Sequence, residues 1–356
     1  MKLVFFGLSL SSSWGNGHAT TYRGLLKALH DRGHEILFYE ADVPWYADHR
    51  DLPDPDYCTL RLYGSLDEIV EADLSDADAV IIGSFVQQSD ALVDLVERSG
   101  APRLAYYDID TPVTVAKLDA GGADYLDPAI IPRFDIYFSF TGGPILKRLQ
   151  ERYGARDVCL LGCSADPTVY HPIDASRPHA LGYLGTYDPS RQPTLDRLLI
   201  EPARRMPNER FIVAGPQYPT DIDWPSNIDR IDHLPPSRHA EFYNSLRFAL
   251  NVTRADMVAA GYSPSVRLFE AAACGRPVIT DAWPGLEAFF SPDREVLVAR
   301  TAEDVVAMLA MDVAQAEAIG EAGLRRVLKD HTGDARAQTL EDALFASSGN
   351  AREAIG

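Results

Sequence analysis

Positive charge is scarce in this 356-residue chain: 33 lysines and arginines stand against 52 aspartates and glutamates, a formal net charge of −19. A surface of that sign repels nucleic acid and anionic membranes, so neither is expected as a partner, and an anionic ligand needs local help from helix ends and a few arginines. Cysteine is sparse too. Cys58, Cys159, Cys163 and Cys274 are scattered, without a Cys-x-x-Cys pair or a His-rich segment, so they read as free thiols and no metal site is expected. No run approaches the ~20 apolar residues of a membrane-spanning helix. The opening Met-Lys-Leu-Val-Phe-Phe-Gly-Leu-Ser-Leu turns polar too soon for a signal peptide, and a cytoplasmic location is the expectation. Internal repeats and low-complexity tracts are missing. What remains, 46% apolar and 24% charged residues, is a globular composition in a chain long enough for two domains.

The first apolar run, residues 2–8, enters Ser-Ser-Ser-Trp-Gly-Asn-Gly-His. A helical pattern over 19–32 follows, carried by Tyr22, Leu25, Leu26 and Leu29 and stopped by Gly33, and then a strand over 35–39. Strand, glycine loop, helix, strand is the opening of a doubly wound α/β domain, although Gly15-Asn16-Gly17-His18 lacks the third glycine of the dinucleotide fingerprint. Apolar runs at 59–63, 79–83, 103–107, 136–140 and 158–161 alternate with helical stretches such as 90–98 and 143–153, which predicts a parallel sheet covered on both faces. The proline-punctuated segment 164–178 reads as a linker. A second α/β series has strands at 181–184, 211–214, 248–252, 277–280 and 295–298. The expected division is 1–164 and 165–332, with a helical tail over 333–356 returning to the first domain. Two such domains are expected to present the carboxyl ends of both sheets to a shared cleft.

The most informative stretch is 261–285. Ser263 is a good N-cap, Pro264 suits the first helical position, and Gly275 with Pro277 supplies a stop. Val266, Leu268, Phe269, Ala271, Ala272, Ala273 and Cys274 leave the helix covered on most sides, so Arg267 and Glu270, three apart on one face, need each other or a polar cleft. Free N–H groups at Ser265, Val266 and Arg267, with the Arg267 charge, suit a phosphate. Glu270 lies roughly 10 Å further along the axis at about 1.5 Å per residue, the reach from a diphosphate to a ribose. An Arg267–Glu270 ion pair on a solvated stripe is the competing interpretation.

The run Ser-Pro-Ser-Val-Arg-Leu-Phe-Glu-Ala-Ala-Ala-Cys-Gly-Arg-Pro-Val-Ile-Thr, followed by Trp-Pro-Gly, Phe290 and Glu295, resembles that of GT-B glycosyltransferases, in particular the CgeB-like proteins and the glycosyl transferase family 4 group. The resemblance implies a GT-B fold of two Rossmann-like doubly wound domains. It implies an acceptor-binding N-terminal domain and a C-terminal domain binding a UDP- or dTDP-sugar as co-substrate, with no resident cofactor; metal independence is expected because the one Asp-x-Asp on the donor side, Asp221-Ile222-Asp223, occupies a proline-rich loop without a nearby histidine. It implies that Glu270 binds ribose hydroxyls and that the helix start faces the diphosphate. One departure stands out: the earlier glutamate often assigned to the donor sugar is replaced by Tyr262. Gly185-Thr186-Tyr187 matches a segment whose amides approach the diphosphate, with Arg191 as added charge; Gly185 alternatively serves a turn. Gly215-Pro216-Gln217 and His233-Leu234-Pro235 resemble segments flanking the nucleobase. Arg254, after the strand at 248–252, pairs with phosphate or is a plain surface arginine.

On the acceptor side, Gly17-His18 with Leu25-Leu26 and Arg32-Gly33-His34 also resembles the start of family 1 glycosyltransferases, which implies that His18 is the general base. An imidazole near pH 7 can take a proton from an attacking hydroxyl when a carboxylate holds its other nitrogen. Asp108 and Asp110 end the strand at 103–107, and Asp108 is the preferred partner, because Asp110-Thr111-Pro112 has the form of a helix cap. His18 capping its own helix or donating to phosphate is the competing assignment. Glycosyl transfer to a small-molecule or glycan hydroxyl is thus the leading reading. A nucleotide-sugar epimerase of the same fold and a non-catalytic nucleotide-sugar-binding protein are the alternatives.

Overall fold

The computed structural model describes residues 1–14 and 17–345. The described residues form two compact units, one within 1–162 together with 333–345 and one of 163–332. The chain passes from one to the other between Gly162 and Cys163, slightly ahead of the expected boundary after Ser164. The last residues of the expected tail, 346–356, lie outside the described part.

The first unit is built on seven parallel strands: β1 (Lys2–Gly7), β2 (Glu35–Ala41), β3 (Thr59–Tyr63), β4 (Ala79–Gly83), β5 (Leu104–Asp108), β6 (Ile136–Ser139) and β7 (Val158–Leu160). Their order is β3-β2-β1-β4-β5-β6-β7, with the order reversing beside β1 as in doubly wound sheets. The central strands are apolar throughout because both faces are covered; Leu3, Val4, Phe5 and Phe6 of β1 have no exposed surface. Helix His18–Asp31 covers one face through Tyr22, Leu25, Leu26 and Leu29. The C-terminal helix Gly333–Phe345 packs beside it, adding Ala337, Leu340 and Leu344 to the same core. Gly333 belongs at this crossing because a Cβ there would stand 2.5 Å from the Gly24 carbonyl oxygen.

The second unit has six parallel strands, β8 (His179–Leu184), β9 (Phe211–Ala214), β10 (Ile228–Ile231), β11 (Leu246–Asn251), β12 (Val278–Asp281) and β13 (Leu297–Ala299), in the order β10-β9-β8-β11-β12-β13. β10 has no counterpart among the predicted strands. Ile-Asp-Arg-Ile is four residues long and sits at the sheet edge behind Pro225, too short and too charged to register as an apolar run. Helix Val266–Ala273 is buried everywhere except at Val266. Phe269 anchors it against the rings of Phe289, Phe290 and His331, at centroid separations of 6.2, 5.5 and 4.8 Å. A fully buried phenylalanine of this kind is worth about 3–5 kcal/mol against alanine, so the N-terminus of the helix is held by its own packing. Among the described residues no helix is long and apolar enough to cross a membrane.

Candidate functional site

The helix start differs from its sequence signature. The cap is Ser265, with φ −80° and ψ 142°, and the first helical residue is Val266. Ser263 and Pro264 stay outside the helix, in keeping with proline's bias of its preceding residue away from helical backbone. Ser263 is buried. The N–H groups that open the helix belong to Val266, Arg267 and Leu268, of which Leu268 N–H donates back to the Ser265 carbonyl at 3.1 Å. The Ser265 side chain makes no cap bond; its Oγ instead accepts from Arg267 Nη1 at 3.2 Å.

Arg267 is buried but not paired with Glu270; no ion pair joins them among the described residues. Its Nε donates to the Leu184 carbonyl, Nη1 also reaches Asn251 Oδ1 at 3.5 Å, and the guanidinium lies 4.8 Å from the centroid of the Tyr183 ring. The strand register explains Asn251. β11 and β12 align Asn251 with Thr280, and Asn251 Nδ2 donates to Thr280 Oγ1 at 3.0 Å. Asp281, the next residue, accepts from Thr253 N and Oγ1 at 3.0 and 2.9 Å; burial pushes its carboxyl up to about 6. A row of polar side chains thus ends the middle strands and steadies Arg267.

Gly185 and Gly215 follow β8 and β9 side by side. A Cβ on Gly185 would lie 2.7 Å from both Arg267 Nη2 and Tyr183 Oη, and one on Gly215, whose φ is +144°, would lie 2.0 Å from the Gly185 oxygen. Close approach, not a turn, is what requires glycine at 185. Thr186 is exposed beside it. Arg191 caps the short helix Gln192–Leu195 through its backbone. Its side chain makes no hydrogen bond or ion pair among the described residues, and its Nε is buried without a partner. Burial and the neighbouring Arg267 charge lower its affinity for its proton. Two guanidinium groups therefore sit near each other, and the Asp188 charge only partly offsets the cost to Arg191, which an anionic ligand would relieve. Arg254 is spoken for: it pairs with Asp188 at 3.0 Å with half its side chain exposed.

Glu270 is buried and accepts from the Tyr243 hydroxyl at 3.3 Å. The Tyr170 and Tyr243 phenols are both pushed up, by burial first and the Glu270 charge second, so both remain donors beside it. Tyr170 also approaches His239 Nδ1 at 3.4 Å, while His239 Nε2 meets the Leu234 carbonyl at 3.2 Å. His239 thus links the Leu234 segment to the surroundings of Glu270, a connection the sequence did not suggest. His233 is exposed. Arg230 lies against both Tyr218 and Trp224, 4.2 and 4.5 Å from their centroids, and Tyr218 Oη donates to the Gly185 carbonyl at 3.2 Å, bracing the glycine pair from behind. Tyr262 takes φ +49° and packs on Gly285, where a Cβ would come within 2.4 Å of its ring.

In the first unit the carboxylate expected to hold His18 is exchanged. His18 Nε2 meets Asp110 Oδ2 at 2.5 Å, while Asp108 is fully buried and turned the other way. Asp108 accepts from Tyr137 Oη at 2.6 Å, Thr114 Oγ1 at 2.8 Å and the Asp110 N–H at 3.2 Å. Burial lifts its carboxyl to about 7. Asp110 occupies the cap position of helix Thr111–Asp119 but makes no side-chain cap bond, because its carboxylate is directed to His18. Gly17 precedes His18 with φ −90°, and a Cβ there would touch nothing within 4 Å. Gly15 and Asn16 lie outside the described residues.

Glu40, absent from the sequence reading, organises the loop before His18. It lies one residue before the end of β2 with no exposed surface and accepts from Leu10 N, Ser11 N and Ser11 Oγ at 2.6, 2.8 and 2.6 Å. Arg23 clamps the same loop, donating to the Leu10 carbonyl at 2.9–3.0 Å and to Asp51 at 2.7–2.9 Å. A charged residue directly after an apolar run at a strand's carboxyl end was the available signal. The four cysteines are free, and among the described residues no group of three or more His, Cys, Asp or Glu side chains is gathered as a metal site.

The chain is similar in fold to solved glycosyltransferases. Thermosynechococcus elongatus sucrose-phosphate synthase is 15% identical with a TM-score of 0.64, covering 96% of this chain and 97% of that one. Anabaena HepE in complex with UDP and glucose is 12% identical with a TM-score of 0.66, covering 97% and 99%. An α-glucosyltransferase in complex with UDP-glucose and DNA containing an abasic site is 14% identical with a TM-score of 0.68, covering 96% and 98%. The chain therefore has the two-domain, Rossmann-like GT-B fold. Residues 191–342 match the family model described as glycosyl transferase-like, a segment holding Arg191, Arg267 and Glu270. No curated protein sequence matches the chain at a significant level.

Proposed function

We propose that this protein is a glycosyltransferase that moves a sugar from a UDP- or dTDP-sugar to a hydroxyl-bearing small molecule or glycan. The observation that carries the reading is the pair Arg191 and Arg267: Arg191 is half-buried with its Nε unpartnered beside the Arg267 charge, and buried Arg267 lies in the first turn of the helix that carries buried Glu270. A diphosphate bound by the Val266 and Arg267 amides and the two guanidinium groups satisfies the charges. A ribose then meets Glu270 and its tyrosines. Gly185, Thr186 and Gly215 give the phosphates backbone access, and the segments of His233 and Leu234 flank the base.

The motif likeness to CgeB-like and family 4 enzymes belongs to this reading, as does the assignment of no metal and no resident cofactor. The Anabaena protein and the α-glucosyltransferase were solved with UDP or UDP-glucose, which supports UDP as the first nucleotide to test. His18 and Asp110 of the first unit form the couple that activates the acceptor. Calorimetry with UDP, dTDP and uridine is the test, followed by release of nucleotide from the corresponding sugars. Absence of binding to all three contradicts the proposal.

A further inference from the structure

We infer that the member of the His18–Asp110 couple that meets the acceptor is the Asp110 carboxylate, with His18 behind it as a positioning residue. The inference rests on the glycosyl-transfer reading and reverses the roles that sequence resemblance implies. The two side chains differ sharply in access: 7% of His18 is exposed against 35% of Asp110. The imidazole is enclosed by Phe85, edge-on at 5.7 Å between centroids, and Tyr22 at 6.5 Å. Its Nε2 is committed to Asp110 Oδ2, and its Nδ1 is buried without a partner. Neither ring nitrogen is open to a hydroxyl.

Asp110 is open. Its backbone carbonyl starts the following helix, accepting from Val113 and Thr114 N–H at 2.8 and 3.0 Å, so the side chain is not needed as a cap. With Oδ2 turned to His18, Oδ1 has no hydrogen-bond partner among the described residues. Asp108 fixes the turn from below by accepting the Asp110 N–H at 3.2 Å. The ionisable groups around the carboxylate are His18 and Tyr22 from the preceding helix, Asp108 and Tyr106 from β5, and Tyr125.

In the step that follows, the acceptor oxygen forms a bond to the anomeric carbon and its proton passes to Asp110 Oδ1. The bond from that carbon to the diphosphate oxygen breaks, and the nucleoside diphosphate leaves with the electron pair. His18, protonated at Nε2, donates to Oδ2 throughout and keeps Oδ1 turned outward.

UDP-glucose is the probe, with water as acceptor and released UDP as the readout, for Asp110→Ala, Asp110→Asn, His18→Ala and His18→Gln. Loss of a positioned general base lowers the rate by roughly 10²–10⁴-fold. That loss is expected for both Asp110 variants, with added formate restoring Asp110→Ala at least about tenfold, whereas His18→Gln stays within about tenfold of wild type. A His18→Gln loss equal to or greater than that of Asp110→Asn, or His18→Ala restored by imidazole while Asp110→Ala ignores formate, overturns the inference. Should Asp110→Ala not fold, the ranking of Asp110→Asn against His18→Gln decides. Wild-type protein that releases nucleotide from no nucleotide sugar fails the underlying reading; active wild type with the reversed ranking fails the inference alone.

Discussion

Replacing Arg191 by glutamine separates a charge kept for a ligand from one kept for the fold. A structural arginine in a partly buried position is normally bonded, and its removal costs stability because its partners are stranded. Arg191 strands nothing: its side chain has no hydrogen bond, its Nε is buried alone, and burial together with the Arg267 charge disfavours its proton. Arg191→Gln is therefore expected to leave the melting temperature of the unliganded protein unchanged or higher. The effect on a diphosphate is the opposite. A hydrogen bond to a charged group contributes about 1.5–3 kcal/mol, which at about 1.4 kcal/mol per decade is a roughly 10- to 150-fold weaker Kd for UDP. Uridine, lacking phosphate, should bind both proteins equally. Calorimetry with UDP and uridine, beside thermal melts without ligand, gives all three quantities. A fall in melting temperature with unchanged UDP affinity refutes the argument and returns Arg191 to a structural role.

Three further outcomes follow from the same geometry. Glu270→Gln should weaken UDP binding by about tenfold or more, as expected for a charged hydrogen bond, and should shrink the preference for UDP over 2′-deoxy-UDP, measured by competition. Gly215→Ala sets a Cβ 2.0 Å from the Gly185 oxygen at φ +144°, so a loss of at least about 2 kcal/mol is expected in denaturant melts. Asp108, raised by burial to about 7 from 3.8, holds its proton in the fold after the unfolded chain has released its own. Its favourable contribution is complete at low pH and is lost progressively from the ordinary carboxyl range up to about 7, roughly 4 kcal/mol in all at ~1.4 kcal/mol per unit. Asp108→Asn should therefore flatten the decline in stability between pH 5 and 8 relative to wild type, with Asp281 supplying a smaller decline of the same sign.

The strands were legible in the sequence because parallel strands buried on both faces are continuous apolar runs, as in β1, β4 and β9. Edge strand β10 was not, since a half-covered strand alternates with charges. The helix at 266–273 was recognisable from its apolar circumference and Gly275. Its start was misjudged because Ser263-Pro264 mimics a cap, while the extended residue that opens the helix is Ser265. Residue types at the acceptor-side loop were readable and side-chain directions were not. Asp108 is the last residue of β5 and is buried, whereas Asp110 lies past the strand at the cap of the next helix and is partly exposed, and sequence spacing cannot say which meets His18. Arg254 shows the same limit: its position after β11 was correct, but Asp188 comes from another loop. Glu40 and the isolation of Arg191 became visible only when distant segments were brought together.

A crystal structure with UDP bound tests the central claim most directly. The account places the diphosphate against the Val266 and Arg267 amides with Arg191 and Arg267 on its oxygens, and the ribose hydroxyls on Glu270. UDP bound elsewhere, or seated here with its ribose turned away from Glu270, contradicts it.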